Sequence, residues 1–214
     1  QAPGEFYVVV VDNGSLEPEV VDLVKMHKAN IIDDVLARSH KGRNWINDEY
    51  IAKNELIART KGDVVLFLQD DCQLICSAKV LLDRAQDLRE MPDVISIDVA
   101  AVRKSTALTA TSGMSPIVHN GRRYWPAKDN HLGTTGLFKK SLFDKLGPYP
   151  VDWPVDPSYW GRSEDHYDRL AKQADAGLVV KSHVPLQIPV WNDPRGGYAF
   201  IRGNARHGHY WDPK

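Results

Sequence analysis

Three stretches in the first half of the chain are apolar at consecutive positions rather than at alternate ones. They are FYVVVV (6–11), VVLFL (64–68) and DVISIDVAAV (93–102). A β-branched run without alternation marks a strand covered on both faces, as in a parallel sheet. Each run meets a polar stop: DNGS (12–15), QDD (69–71) and the Ser/Thr-rich stretch after 103. Between the runs the apolar spacing changes to that of helices. Val20, Val21 and Val24 predict a helix over 17–27, with Pro18 suited to its first turn. Ile51, Ala52, Leu56 and Ala58 predict another over 48–60, closed by Gly62 in a left-handed conformation. Val80, Leu81, Ala85 and Leu88 predict a third over 77–90, broken by Pro92. ANIIDDVLA (29–37) is a candidate short strand. Further on, a helix is expected over 140–146, another from Ser163 to Gly177, and a strand at LVVKS (178–182).

Strand, helix, strand, helix, strand with short connections is the order of an open α/β sheet with right-handed crossovers. Ligands of such sheets bind beyond the carboxyl ends of the strands. Asp12 and the Asp70–Asp71 pair stand at two such ends, so both are expected to face one crevice. Residues 103–163 are rich in Ser, Thr, Gly, Pro and Trp and predict a functional segment with only the 140–146 helix. The tail, 185–214, is aromatic and basic and shows no periodicity.

Composition narrows the class. The chain has 214 residues, 43 % hydrophobic and 26 % charged, enough for one core without disulfides or structural metal. The expectation is a single domain over 1–214: a nucleotide-binding half (6–100), an acceptor and catalytic half (101–184) and a closing tail (185–214). Lys+Arg 27 against Asp+Glu 28 gives net charge -1, which offers no general reason for nucleic-acid binding. No apolar run approaches the length of a membrane span, and no signal peptide is read. The chain opens on Gln1, as a processed or trimmed chain does. Cys72 and Cys76 are spaced to share a helix face, and read as small core residues of a reducing compartment. A soluble, cytoplasmic chain is expected.

Three groups carry candidate chemistry. In FLQDDC, two adjacent carboxylates end a buried strand, where desolvation and like charge oppose ionisation. A divalent cation, Mg²⁺ or Mn²⁺, is one compensation and a solvated turn is the other. In GRSEDHYDRL, Glu164 and Asp165 are expected in a helix first turn behind Ser163 as its cap. They read either as acids favoured by the helix dipole or as a general base facing a cleft. In RHGHYW, His207 and His209 share one face of an extended segment, with Arg202 and Arg206 nearby. They read as metal and phosphate contacts or as a solvated terminus.

In this order, VVDNGS (10–15), AKNELIARTKGDVVLFLQDD (52–71), GLFKKSLFDKLGPY (136–149) and GRSEDHYDRLAKQADAG (161–177) resemble the GT-A-fold nucleotide-sugar glycosyltransferases, most closely the inverting family-2 type. The resemblance covers about residues 6 to 182. It implies a GT-A-like (Rossmann-like) open, mostly parallel sheet flanked by helices. It implies a UDP-sugar donor, a hydroxyl acceptor on a glycan, lipid, protein or other molecule, and Mn²⁺ or Mg²⁺. Asp12, with Asn13, would contact the nucleotide base. Lys53 stands where the family often has an Arg near the nucleotide. Asp71 matches the metal-binding last acid of the D-x-D motif and Asp70 its middle position, near the ribose or the metal. Gly136 would line the sugar pocket. Asp165 matches the acid that deprotonates the acceptor, with Glu164 beside it. His207 or His209 resembles the late metal-ligating His, and Arg202 and Arg206 would hold the diphosphate. Trp160 is the expected acceptor contact, with Trp125, Tyr149, Trp153 and Tyr159 as further stacking aromatics. Two departures stand out. Gln69 occupies the first D-x-D position, which leaves the metal shell weaker there. The family also has an earlier strand before VDNGS, whereas this sequence begins almost at the second strand; the upstream strand is cut away, replaced by another segment or chain, or the sheet is shortened. A nucleotidyltransferase and a sugar- or nucleotide-binding module with a decayed site are the alternatives.

Overall fold

The computed structural model describes residues 6–12, 33–37, 45–68, 72–99, 115–127, 132, 136–151, 162–182, 187–189, 191–193 and 197–199. The helix expected over 17–27 lies outside them. In chain order the strands are β1 (Val9–Asp12), β2 (Asp34–Ala37), β3 (Val64–Phe67), β4 (Cys72–Leu74), β5 (Val94–Asp98) and β6 (Ile117–His119). They continue with β7 (Arg122–Pro126), β8 (Gly136–Lys139), β9 (Leu178–Ser182), β10 (Gln187–Pro189), β11 (Trp191–Asp193) and β12 (Gly197–Ala199). The helices are α1 (Trp45–Arg59), α2 (Ala78–Glu90), α3 (Lys140–Leu146) and α4 (Arg162–Gln173).

Six strands make the main sheet, in the order β3-β8-β5-β9-β7-β6. β8 is antiparallel to both β3 and β5, β5 is parallel to β9, and β7 is antiparallel to β9 and β6. Hence β3, β5, β9 and β6 run one way, and β8 and β7 the other. Most strands share one direction, as expected, yet most ladders are antiparallel because β8 is inserted between β3 and β5. β1 and β2 form a separate parallel pair, which bears out the short strand expected within 29–37. Phe6, just before β1, packs against the same buried cluster as Val64 and Leu66 of β3, and the Lys61 ammonium lies 4.4 Å from the Tyr7 ring centroid. The amino ends of β1 and β3 are therefore neighbours.

The central strands β8 and β5 are buried on both faces, and the side-chain alternation along the strands divides the core in two. Val65, Phe67, Ile95, Phe138 and Val179 point to the layer that holds Tyr50 of α1, Leu142 and Phe143 of α3, and Tyr167 and Ala171 of α4. Leu137, Val94, Ile97 and Val180 point to the layer of Leu81 and Leu88 of α2. Val94 and Ile97 share a face although three residues apart. The register shift between Val94 and Ser96 absorbs the odd residue.

The helices follow their patterns. Leu81, Ala85 and Leu88 form the buried stripe of α2, and the Ser77 side chain accepts the Val80 N–H at its start. α1 ends at Arg59, where the Thr60 amide and hydroxyl both donate to the Leu56 carbonyl. Gly62 is absent from the left-handed glycines, so it does not cap α1 as expected. α4 stops at Gln173 rather than at Gly177. The Ala176 N–H reaches the Ala171 carbonyl and the Asp175 N–H that of Lys172, a Schellman closure with Asp175 at φ 44. Cys72 lies in β4, so the two cysteines share no helix face; Cys76 is a free thiol packed against the α2-side core. Within the stretch read as irregular, Asn120 (φ 47) and Gly121 (φ 73) form the two-residue turn of the β6–β7 hairpin. The tail, read without periodicity, supplies β10, β11 and β12.

Gly177 is required where α4 turns into β9. Its φ is 124, and a Cβ there would meet Ile95 Cγ2 at 2.7 Å and the Asp93 carbonyl at 2.8 Å. The Leu178 N–H donates to that same carbonyl at 2.6 Å, so the backbones cannot separate without losing the bond. Strain and overpacking together set the expected cost. Gly177→Ala should lower unfolding free energy by about 2–4 kcal/mol in urea titration. A loss below about 0.5 kcal/mol would contradict this packing.

Candidate active site

The carboxyl edge of the sheet is fixed by three parallel strands, β3, β5 and β9. β3 ends at Phe67, whose partner across the ladder is Gly136, the first residue of β8. Because β8 runs the other way, the chain enters it at the edge where β3 and β5 finish. Asp70 and Asp71 follow β3 in sequence and lie outside the described residues. β4 begins directly after them, and Cys72 pairs with Pro189 of β10. The start of the C-terminal tail is thereby placed next to the residue that follows Asp71.

α4 reaches the same edge. It is followed within four residues by β9, so it runs back across the sheet and presents its amino end at the carboxyl edge. A hydrogen bond ties this end to the segment before β8. The Asp168 carboxylate accepts the Leu132 N–H at 2.8 Å, and both residues are buried. Leu132 lies four positions before Gly136. Glu164 and Asp165 sit in the first turn of α4, as the sequence predicts, one turn before Tyr167 and Asp168.

A cluster of polar and aromatic groups ties α4 to α1. The Tyr167 ring stacks on Tyr149 with centroids 4.2 Å apart, and Tyr149 stacks on Tyr50 at 5.6 Å. The Tyr167 hydroxyl donates to the Gly147 carbonyl at 2.8 Å, and burial pushes its pKa up. Asn54 of α1 clamps the Tyr149 backbone, accepting its N–H at 2.8 Å and donating to its carbonyl at 2.9 Å. Lys53 is 7 % exposed, with its ammonium 5.2 Å from the Tyr50 centroid and 5.9 Å from that of Tyr149. A cation on aromatic faces recovers part of its lost hydration.

The sequence-derived candidates fall into three groups. Asp12 closes β1, Gly136 opens β8, and Glu164 and Asp165 open α4. Gly136 is buried, and a Cβ there would approach the Ile97 carbonyl at 3.3 Å and the Phe138 ring at 3.4 Å. Close approach of β8 to β5 therefore accounts for the glycine. Lys53 is described above. Asn13, Asp70, Asp71, Trp160, Arg202, Arg206, His207 and His209 lie outside the described residues, as do Trp153 and Tyr159. Trp125 is half-buried in β7. Tyr149 is corrected: it is 1 % exposed within the core stack and has no surface to offer an acceptor. Asn54, Tyr167, Asp168 and Leu132 were not singled out from sequence. An Asn inside an apolar helix stripe and an acid one turn after SED were the signals available.

Among the described residues, one group of metal-ligand type comes together elsewhere. Oxygen or nitrogen atoms of Asp87, Glu90 and His119 lie within 4.8 Å of one another, between α2 and the β6–β7 hairpin. Asp87 is fully buried, and Arg122 donates to its two oxygens at 2.6 and 2.8 Å. The Tyr124 hydroxyl and the Asn120 amide donate to it as well. A guanidinium thus already neutralises this carboxylate, and the group is an ion-pair network. Burial pushes the Asp87 pKa up, but the bonds from Arg122, Tyr124 and Asn120 outweigh it and the net direction is down. Glu90 is held to about 2 by Gln86, Asn120 and His119. A cleft of about 470 Å³ opens at the opposite edge of the sheet, at the amino end of β3. Its charges are mostly paired: Arg89 with Asp63 at 2.8 Å, Lys140 with Asp144 at 3.6 Å.

The sequence matches no family profile and no curated protein. Solved structures share its fold. One is S. aureus TarS, residues 1–349, with TM-score 0.54 and 16 % identity over 86 % of this chain and 51 % of that one. The chain spans about half the length of that structure. At this identity the likeness shows the fold, an α/β sheet of the glycosyltransferase-like Rossmann type. No helix among the described residues is long and apolar enough to cross a membrane.

Removing the guanidinium that grips both oxygens of Asp87 leaves only Arg84, 3.7 Å away, to offset the buried charge. Arg122→Ala should cost about 3–5 kcal/mol at pH 7 in urea unfolding. The folded pKa of Asp87 lies below its unfolded value, so its stabilisation is full above about pH 4 and is lost as pH falls further. Wild-type stability should therefore drop more steeply below pH 4 than that of Arg122→Ala. A cost under about 1 kcal/mol would mark the pair as solvent-screened.

Proposed function

We propose that this chain is a glycosyltransferase that moves a sugar from a nucleotide-sugar donor, a UDP-sugar first, to an acceptor hydroxyl with inversion. The observation that carries this reading is the placement of the amino-terminal half of α4. The Asp168–Leu132 hydrogen bond holds it beside the segment entering β8, at the edge where β3 runs into Asp70 and Asp71. The likeness to TarS, a glycosyltransferase, supports the class of reaction. The order of VVDNGS, QDD, GLFKKSLF and GRSED supports the family-2 type.

In this reading Asp12 and Asn13 contact the base, and Asp70 the ribose. Arg202 and Arg206 grip the diphosphate, for which a planar fork of donors suits. Gly136 lets the sugar approach the backbone, and Trp160 offers an apolar face to the acceptor. Asp165, with Glu164 beside it, accepts the acceptor's proton. The acceptor oxygen forms its bond to the anomeric carbon as the bond from that carbon to the diphosphate oxygen breaks, and the electron pair leaves with the nucleotide. Carboxylate and imidazole donors suit Mn²⁺ or Mg²⁺, so Asp71 with His207 or His209 would hold one ion. Such an ion, when bound, offsets charge on the leaving diphosphate.

A panel of UDP- and GDP-sugars with Mn²⁺, read by nucleotide release, tests the class. At least one donor should be consumed, while binding of every donor without release would leave a binding module. Asp165→Asn should lower turnover about 10²–10⁴-fold with donor affinity kept. Asp71→Asn should instead weaken Mn²⁺ and donor binding together in calorimetric titration. Wild-type turnover in both variants would refute these roles.

A further inference from the structure

Asp168 does something that packing alone does not require. A buried carboxylate is costly unless its oxygens are used, and one oxygen of Asp168 accepts the backbone N–H of Leu132 at 2.8 Å. Leu132 is itself fully buried, so its N–H has no access to water. The bond is the described link between α4 and the segment leading into Gly136. On the other flank, α4 is held by Tyr167, stacked on Tyr149 and bonded to the Gly147 carbonyl, with Tyr149 clamped by Asn54. The two attachments are consecutive residues on adjacent faces of the helix. Tyr167 fixes its rotation, and Asp168 fixes its distance from the strand that opens at Gly136.

Asp165 precedes Asp168 by three residues, so it stands on the same face and about 4.5 Å further along the axis. The lever from the hydrogen bond to the proposed base is one helical turn. The lever on the other side is the four residues from Leu132 to Gly136. We infer that Asp168 is a positioning residue: by holding the Leu132 amide it sets the helix turn that carries Asp165 against the sugar pocket that begins at Gly136. This rests on the reading of Asp165 as the general base. Misplacement of a base by about 1 Å can cost up to 100-fold in rate, so a lost anchor should show in turnover before it shows in donor affinity.

The test is a double-mutant cycle on nucleotide release, using the sugar nucleotide that the wild-type chain consumes fastest in the UDP- and GDP-sugar panel, with amide exchange at Leu132 as a second readout. Asp168→Ala should lower kcat about 10- to 100-fold with KM for the donor within about 3-fold, and should expose the Leu132 amide to exchange. Asp168→Asn keeps an oxygen acceptor at the same place. It should retain Leu132 protection and kcat within about 3-fold of wild type, and it remains informative if the alanine variant fails to fold. In an Asp165→Asn background, Asp168→Ala should cost less than about 2-fold, because a residue acting through the base has nothing left to position. An undiminished cost in that background would overturn the proposal and assign Asp168 a structural role. A 10-fold loss in folded Asp168→Asn, with Leu132 still protected, would overturn it too. Wild-type turnover in Asp165→Asn alone, or no release from any sugar nucleotide, would overturn the base assignment instead.

Discussion

A buried sheet must pair the backbone groups of every strand it contains, and in this chain β8 pairs those of two. β3 and β5 are not paired with each other; Gly136–Lys139 lies between them and is antiparallel to both. Unpaired N–H and C=O groups in such a layer would cost as much as lost hydrogen bonds, so the position of β8 is dictated by its neighbours' ladders. Its direction then decides where the chain enters the sheet. Entry falls at Gly136, opposite Phe67, at the edge where β3 and β5 end. By chain order, three parts of the proposed site are reached from that edge: the QDD segment after β3, the Leu132 segment before β8, and the amino end of α4.

Two buried aspartates show how charge is used on either side of this sheet. Asp87, under α2, is neutralised by Arg122 and bonded by Tyr124 and Asn120. All of these partners belong to one hairpin, so the network pins β6 and β7 to α2 and leaves the carboxylate little capacity for anything else. Asp168, under α4, faces a backbone amide of the segment that leads to the site. The first arrangement strengthens a packing contact between surface-near elements. The second couples a helix that carries acids to the segment that enters β8 at Gly136. Metal-ligand atoms gathered near Asp87 are therefore less informative about chemistry than their spacing suggests.

Much of the fold was legible because three strands are unalternated in sequence and the helices carry apolar stripes, although of the three only β5 is buried on both faces; β1 is half-buried and β3 alternates. β1, β3, β5, β9, α2 and α3 stand where periodicity put them, and α1 and α4 differ only at their ends. What periodicity could not show is pairing. The insertion of β8 between β3 and β5 depends on long-range ladders, and GLFK alone reads the same on either side of β5. The β6–β7 hairpin did have a local signal, Asn120-Gly121, which the surrounding Ser, Thr and Pro obscured. The close of α4 was misplaced at Gly177 because Asp175 takes the left-handed position, and Gly177 is kept for contact with Asp93 and Ile95. Of the candidate site, the acids at the start of α4 and the glycine of β8 were legible from motif order. Tyr149 was misread, since an aromatic among prolines looks like a surface residue until Tyr167 and Asn54 are seen around it.

The central claim is that acids distant in sequence share one pocket at the carboxyl edge, and that the cation belongs there rather than at Asp87. Paramagnetic broadening separates the two places directly. Mn²⁺ added with UDP to the isotope-labelled chain should broaden the amide resonances of Gly136, Leu132 and residues 163–168, and leave those of Glu90, His119 and Asn120 sharp. Broadening confined to Glu90, His119 and Asn120, with Gly136 and α4 unaffected, would contradict the account.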